Sequence, residues 1–142
     1  MDFTLLRKIN NPFTYVAFCE DGGHFFNGYC YQKLPGRCMS KQSAHARCIA
    51  NGGSLPVIKN DRESIYLQEQ IEDSSIWLGI EKSSSSWKTS DGSSLIYQKW
   101  YRNQPADAYG KQCAAIENRG IETGWSAERC DSCKSVICVK GK

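Results

Sequence analysis

The pattern of apolar and polar positions predicts a first helix near the middle of the chain. Residues 40–49 contain neither Gly nor Pro, and the segment stops at the run Asn51-Gly52-Gly53. Ala44 and Cys48 are four residues apart, and this spacing places both side chains on one face of a helix. Ser40 is a suitable N-cap. We therefore predict a helix over residues 40–49 with Ala44 and Cys48 on its buried face.

A second helix is predicted over residues 61–71. Asn60 is followed three residues later by Glu63, the spacing of a capping box at a helix start. Three apolar residues are expected to supply its buried side, namely Ile65, Leu67 and Ile71.

Short strands are predicted where apolar, β-branched or aromatic runs lie between turn residues. Cys19 and Cys30 bracket the turn signal Asp21-Gly22-Gly23-His24, which indicates a hairpin closed by a disulfide. No periodic pattern is visible in the first twenty or so residues. Further strands are expected at residues 76–80, 113–117, 124–127 and 135–139.

A long connection without periodic pattern runs from Lys88 to Gln112, after a run of serines that marks a loop tip. A structureless stretch of this length is uncommon in a compact domain unless it is functional or cross-linked. We therefore expect the working surface of the protein to lie here.

Length and charge limit the possible classes of protein. The 142 residues suit one folded domain, predicted over residues 19–142 with an N-terminal extension over residues 1–18. The net charge is +3, and its basic residues are scattered, so nucleic acid is not an expected partner. No stretch approaches the roughly 20 apolar residues of a membrane span, so no membrane insertion is expected within this fragment. We interpret Met1 as the start of a recombinant fragment without its native signal or anchor.

Eight cysteines in so short a chain predict a disulfide framework formed in an oxidising compartment. The expected location is extracellular, as a secreted protein or the ectodomain of a membrane protein. The pair Cys130 and Cys133 has the spacing of a metal or redox motif. A zinc site is disfavoured because the chain offers only His24 and His45, which are far apart in sequence.

Several motifs, taken in order, resemble the C-type lectin-like domain in its long form, which has an extra N-terminal hairpin disulfide. They are Trp-Leu-Gly-Ile at residues 77–80 and Trp-Lys-Thr-Ser-Asp-Gly at residues 87–92, followed by Leu95, Tyr97 and Trp100. The match covers about residues 19–139. It implies an α+β fold with two helices flanking small antiparallel sheets, a long stabilised loop and four disulfides.

The resemblance also implies three disulfide pairs: Cys19 with Cys30, Cys48 with Cys138, and Cys113 with Cys130. Cys38 and Cys133 are left over, and geometry suggests that they pair. Ten helical residues from Cys38 to Cys48 rise about 15 Å, and five extended residues from Cys133 to Cys138 rise about 16.5 Å. A helix that runs parallel to a strand could therefore be joined to it by one disulfide at each end, Cys48 with Cys138 and Cys38 with Cys133.

Family members that bind sugar hold calcium with oxygen ligands, and this sequence departs from their motifs at most positions. Gln104-Pro105-Ala106 ends in a methyl group, Lys111 stands two residues before Cys113, and Ser126 and Ala127 follow Trp125. Calcium requires six to eight oxygen ligands, so we expect no conventional site and no cofactor. The open alternative is a rearranged calcium site built from Asp107 with Glu117, Glu122 or Glu128.

The resemblance and the residue types together suggest a ligand-binding surface between Lys99 and Glu122. The predicted binding residues are Tyr101, Arg102, Gln104, Asp107, Tyr109 and Lys111. A basic face for an anionic ligand is a weaker hypothesis, because acidic residues are interspersed; its members are Lys99, Arg102, Lys111, Arg119 and Arg129. Trp87 and Trp125 are predicted to belong to the core.

Neither histidine has a neighbouring nucleophile suggested by spacing, so an enzyme is not expected. The leading hypothesis is an extracellular recognition module that binds a glycan or a protein ligand without conventional calcium coordination. A calcium-dependent lectin with a rearranged site is the alternative, and a structural module of a larger matrix protein is the third.

Overall fold

The computed structural model describes residues 4–8, 15–20, 22–72, 74–118 and 123–141, and the structural statements below concern these residues. They form two helices and nine strands. In chain order these are β1 (Thr4–Lys8), β2 (Tyr15–Cys19), β3 (His24–Phe26), β4 (Tyr29–Lys33), α1 (Lys41–Ala50), α2 (Asp61–Ile71), β5 (Ser75–Ser83), β6 (Ser86–Thr89), β7 (Cys113–Glu117), β8 (Gly124–Glu128) and β9 (Ile137–Gly141).

The strands form three antiparallel sheets. One is the pair β1-β2, the second has the order β3-β4-β9, and the third has the order β6-β5-β7-β8. The second sheet joins the N-terminal hairpin to the C-terminal strand. The third sheet carries most of the fully buried residues, and the long connection leaves it at β6 and returns at β7.

Helix α1 confirms the predicted helix and its cap. The Ser40 hydroxyl accepts a hydrogen bond from the Ser43 backbone N–H at 3.3 Å. Ala44 and Cys48 are both fully buried, so the predicted face is the one that packs on the core.

Helix α2 confirms the predicted range but not the whole predicted face. The Asn60 side-chain oxygen Oδ1 accepts from the Glu63 backbone N–H at 2.9 Å. Leu67 and Ile71 are buried, whereas Ile65 is 53% exposed. The prediction for Ile65 is wrong because two residues correspond to about 200° of rotation, which places Ile65 and Leu67 on opposite sides of a helix.

The strand predictions are confirmed at Cys113–Glu117 and shifted or extended elsewhere. The predicted strand at 76–80 extends to Ser75–Ser83, because β5 pairs with β6 on one side and β7 on the other. The predicted strand at 135–139 begins two residues later, at Ile137. The pair β1-β2 was not predicted, and it lies in the segment where the sequence shows no period.

The N-terminal hairpin turns at a different place from the predicted one. Strands β3 and β4 are joined by Asn27 and Gly28, which have φ angles of 52° and 88°. Such a pair with positive φ is preferred in two-residue hairpin turns. Of the predicted turn at 21–24, Gly22 and Gly23 lie between β2 and β3, His24 is the first residue of β3, and Asp21 is outside the described residues.

Two tryptophans of the third sheet lie in the core. Trp77 and Trp125 are both fully buried. The Trp77 indole N–H donates to the Met39 carbonyl at 2.8 Å, so its polar atom is satisfied. Trp125 fulfils its core prediction, whereas Trp87 is only partly buried and packs against the core edge.

Four disulfides are present: Cys19–Cys30, Cys38–Cys133, Cys48–Cys138 and Cys113–Cys130. All four predicted pairs are confirmed. The geometric argument for Cys38 with Cys133 is wrong in detail, because Cys38 precedes α1 and the neighbouring residues pair in antiparallel fashion. Met39 N–H donates to the Lys134 carbonyl at 2.8 Å, and Lys134 N–H donates back at 3.1 Å.

Candidate functional site

The candidate site is the long loop, defined as residues 94–112 between β6 and β7. It begins after a turn at residues 89–93, where the Asp91 carboxylate accepts from the Thr89 hydroxyl and from the Ser93 backbone N–H. These hydrogen bonds lower the pKa of Asp91 to about 2. The turn therefore keeps its charged form and its geometry at neutral pH.

The first half of the long loop lies along β8. Tyr101 N–H donates to the Trp125 carbonyl at 2.8 Å, and Trp125 N–H donates to the Lys99 carbonyl at 2.8 Å. The Trp100 ring packs edge-on against Trp125 with 5.4 Å between ring centres. The loop is thus fixed to the sheet by backbone hydrogen bonds and by the packing of the partly buried Trp100 ring on Trp125, although residues 94–112 form no strand.

The loop is also tied to the start of α2. The Tyr97 hydroxyl donates to the Asp61 carboxylate at 2.5 Å, and the Lys99 ammonium lies 4.0 Å from the same oxygen. Burial, followed by this hydrogen bond to Asp61, raises the pKa of Tyr97 to about 12. Asp61 was not identified as part of the site from the sequence, because it is 36 residues from Tyr97 along the chain.

Gln104 faces the protein rather than the solvent. Its side-chain oxygen accepts from the Ala106 backbone N–H at 2.9 Å and from the Ala127 backbone N–H at 3.0 Å. An amide oxygen has two lone pairs, and these two donors use both. The oxygen that the family resemblance assigns to calcium therefore holds the loop against β8 instead.

Two of the acidic residues proposed for a rearranged calcium site, Asp107 and Glu128, already have lysine partners. The Asp107 side chain is 97% exposed and pairs with Lys82 at 3.3 Å. Glu128 accepts from the Ser126 hydroxyl at 3.0 Å and pairs with Lys134 at 3.4 Å. Glu122 is outside the described residues. Across the described ranges, no group of three or more His, Cys, Asp or Glu side chains is arranged to hold a metal ion.

The predicted contact residues occupy two positions along the loop. Tyr101 is half-buried where the loop leaves β8, and Arg102 is exposed in the next turn. Tyr109 is fully exposed in a second turn, and Lys111 is half-buried just after it. The long loop therefore exposes the Arg102 guanidinium at its first turn and the Tyr109 ring at its second turn.

The proposed basic face is divided by ion pairs. Lys99 lies near Asp61, and Arg129 pairs with Asp131 at 3.2 Å. The Arg129 guanidinium also lies against Gly110, where a β-carbon would come within 2.7 Å of its Nη1 atom. Arg119 is outside the described residues. Since opposite charges lie beside the cations, the field for an anionic ligand is weakened.

None of the helices in the described ranges has both the length and the apolar character needed to cross a membrane.

The chain is similar to known proteins over most of its length. The family model described as "Lectin C-type domain" matches residues 37–140. The secretory phospholipase A2 receptor of Mus musculus is 25% identical over 138 residues, which cover 92% of this chain and only 9% of that receptor. The galactose-specific lectin nattectin of Thalassophryne nattereri is 29% identical over 133 residues, covering 88% of this chain and 82% of nattectin.

A solved structure of a calcium-independent type II antifreeze protein has the same fold. It aligns with a TM-score of 0.77 and 23% sequence identity, covering 87% of this chain and 95% of that chain.

Proposed function

Because the chain belongs to the C-type lectin domain family, we propose that it is an extracellular recognition module whose long loop binds a glycan or a protein ligand without conventional calcium coordination. The observation that carries this proposal is the orientation of Gln104. Its side-chain oxygen accepts two backbone N–H groups from Ala106 and Ala127, so the loop is held in shape by the protein itself.

Several contacts support calcium independence. Asp107 and Glu128 each have a lysine partner, at 3.3 Å and 3.4 Å, so both carboxylates are compensated without an ion. Lys111 adds a positive charge where the family places a carboxylate, and this charge opposes cation binding. The antifreeze protein of the same fold is described as calcium-independent, so the fold is compatible with this property.

The proposed contact residues are Tyr101, Arg102, Tyr109 and Lys111. The Tyr109 side chain is fully exposed, so a partner that covers it can bury the whole ring. The long loop is fixed to β8 through Lys99, Tyr101 and Gln104, and binding residues commonly lie on loops that a rigid scaffold holds. A glycan is a supported ligand class, since nattectin is a galactose-specific lectin of related sequence.

We propose binding rather than catalysis, in an oxidising and therefore extracellular location. The four disulfides support this location, because such bonds persist outside the reducing cytosol. The division into an extension at 1–18 and a domain at 19–142 remains part of the proposal. Neither nucleic acid nor membrane is proposed as a partner of this chain.

A glycan and ectodomain array, read once with calcium and once with chelator, would identify a ligand. Tyr109→Ala and Arg102→Ala are then expected to weaken its binding by about 1 to 2 kcal/mol each, with little change in melting temperature. Arg47→Ala, on the exposed side of α1, is the control variant for loss of an arginine. Binding that requires calcium would favour the rearranged lectin site, and affinity unchanged by both loop variants would contradict the proposed surface.

A further inference from the structure

A cleft of about 440 Å³ lies beside the start of α1 and shares no residue with the long loop. It is an open cleft lined by residues of α1, β5, the turn at 89–93 and the Cys113–Cys130 disulfide. Its polar lining comes from Lys41, Gln42, His45, Glu81, Ser90 and Asp131. The volume lies within the range of about 300 to 1,000 Å³ that is usual for small-molecule sites.

Lys41 supplies a buried amine to this cleft. The residue is only 5% exposed, and its ammonium donates to the Ile80 carbonyl at 3.2 Å and lies 3.7 Å from Glu81 Oε2. Burial lowers the pKa of Lys41, while the charge of Glu81 opposes this shift. An ammonium group has three N–H donors, and the two acceptors described leave one donor for a ligand.

Glu81 supplies a carboxylate beside this amine. Its side chain is 46% exposed, so a ligand in the cleft can reach it. His45 is four residues after Lys41 and therefore lies on the same side of α1. Gln42, His45 and Ser90 are exposed and add groups that both donate and accept hydrogen bonds.

The charges of the cleft favour a neutral ligand. A cation would approach the Lys41 ammonium, and an anion would approach the Glu81 carboxylate; the Asp131 carboxylate is already paired with Arg129. A hydroxyl group instead accepts from the ammonium and donates to the carboxylate at the same time. Hydrogen bonds to charged groups are stronger than those between neutral groups, so a molecule with several neighbouring hydroxyls matches this lining best.

We infer that this cleft is a second binding site, for a neutral saccharide unit whose hydroxyls bond to Lys41 and Glu81. The inference is independent of the long-loop proposal, because the two sites have no residue in common.

The test is a titration of the ¹⁵N-labelled protein, followed by amide chemical shifts, with methyl α-D-mannopyranoside and methyl β-D-galactopyranoside as probes. At least one glycoside is expected to bind with millimolar affinity and to shift the amides of Lys41, Gln42, His45, Glu81 and Ser90. Glu81→Gln removes the charged acceptor and is expected to weaken binding about tenfold. Since Glu81 is half-exposed, this variant is expected to fold, which its melting temperature checks.

Glu69→Gln is the matched control, because it makes the same change of charge at an exposed position on α2 away from the cleft. Its glycoside affinity should equal that of the unchanged protein. Three results would overturn the inference: neither glycoside shifts the cleft amides, Glu81→Gln and Glu69→Gln bind equally, or the zwitterion glycine binds there more tightly than the glycosides. Shifts confined to residues 94–112 would also reject the cleft, while leaving the long loop as a saccharide site.

Discussion

Gly124 lies directly against the backbone of Tyr101, and a β-carbon on Gly124 would come within 2.6 Å of the Tyr101 amide nitrogen. The contact occurs where Tyr101 N–H donates to the carbonyl of Trp125. Glycine at position 124 therefore allows the long loop to lie flat on β8, with the Trp100 ring against Trp125.

Gly124→Ala is predicted to displace the first half of the long loop and to destabilise the domain by about 1 to 3 kcal/mol. The backbone at Gly124 and the backbone at Tyr101 cannot move apart without breaking the hydrogen bonds that join the loop to β8. Denaturant unfolding would measure the stability, and near-ultraviolet circular dichroism would report the changed packing of Trp100 on Trp125. Thr123→Ala, one residue away, is the control and should leave both measurements nearly unchanged. An alanine variant with native stability and spectrum would refute the close contact.

The Cys38–Cys133 disulfide is predicted to stabilise the domain less than its sequence separation of 95 residues indicates. While Cys48–Cys138 is intact, Cys38 and Cys133 are already linked through the 10 residues from Cys38 to Cys48 and the 5 residues from Cys133 to Cys138, so the loop that their own bond closes has about 15 residues. In the chain-entropy account, replacing this pair by serines therefore costs about 3 kcal/mol, close to the cost of replacing Cys19–Cys30, which spans 11 residues. Denaturant unfolding of the two double variants would compare them. Peptide mapping without reductant should recover neither Cys38 nor Cys133 as a free thiol, and recovery of either would contradict the pairing.

Calcium is predicted to leave the melting temperature unchanged. An ion that bound only the folded state would raise the midpoint through linkage. Thermal melts in millimolar calcium and in chelator would test this, with Asp107→Ala measured in parallel. If calcium raised the melting temperature of the unchanged protein by several degrees but not that of Asp107→Ala, Asp107 would be a ligand of a rearranged calcium site.

Tyr97 is predicted to make stability sensitive to alkaline pH. The pKa of Tyr97 is raised to about 12 in the folded state, against an ordinary value of 10.0. The folded state holds this proton more tightly, so the stabilisation is fully present below about pH 10 and is lost as pH rises towards 12. Denaturant unfolding across this range should show a steeper loss for the unchanged protein than for Tyr97→Phe.

Tyr109→Phe is the control for this experiment, because it removes a hydroxyl from a tyrosine that is fully exposed and not part of the core. It should retain the alkaline sensitivity of the unchanged protein. Equal pH profiles for Tyr97→Phe and the unchanged protein would mean that another group controls the alkaline transition.

Local interactions account for the parts of the fold that the sequence predicted well. Ser40 and Asn60 cap their helices through bonds to residues three positions later, and such short-range signals can be read directly from the chain. The expectation for Ile65 fails because its angular position on the helix, and not its apolar side chain alone, decides whether it is buried. The Asn27-Gly28 turn is also a local signal, since Asn-Gly is the preferred pair in two-residue hairpin turns.

The sequence by itself determined the two helices, the cysteine framework and, through motif order, the family to which the chain belongs. Only the tertiary structure decided that Gln104 faces Ala127, that Asp107 meets Lys82, and that Lys41 lies beside Glu81. The partners in these pairs are 23, 25 and 40 residues apart along the chain. Their contacts depend on how helices, sheets and loop pack together, and residue spacing within one element carries no information about that arrangement.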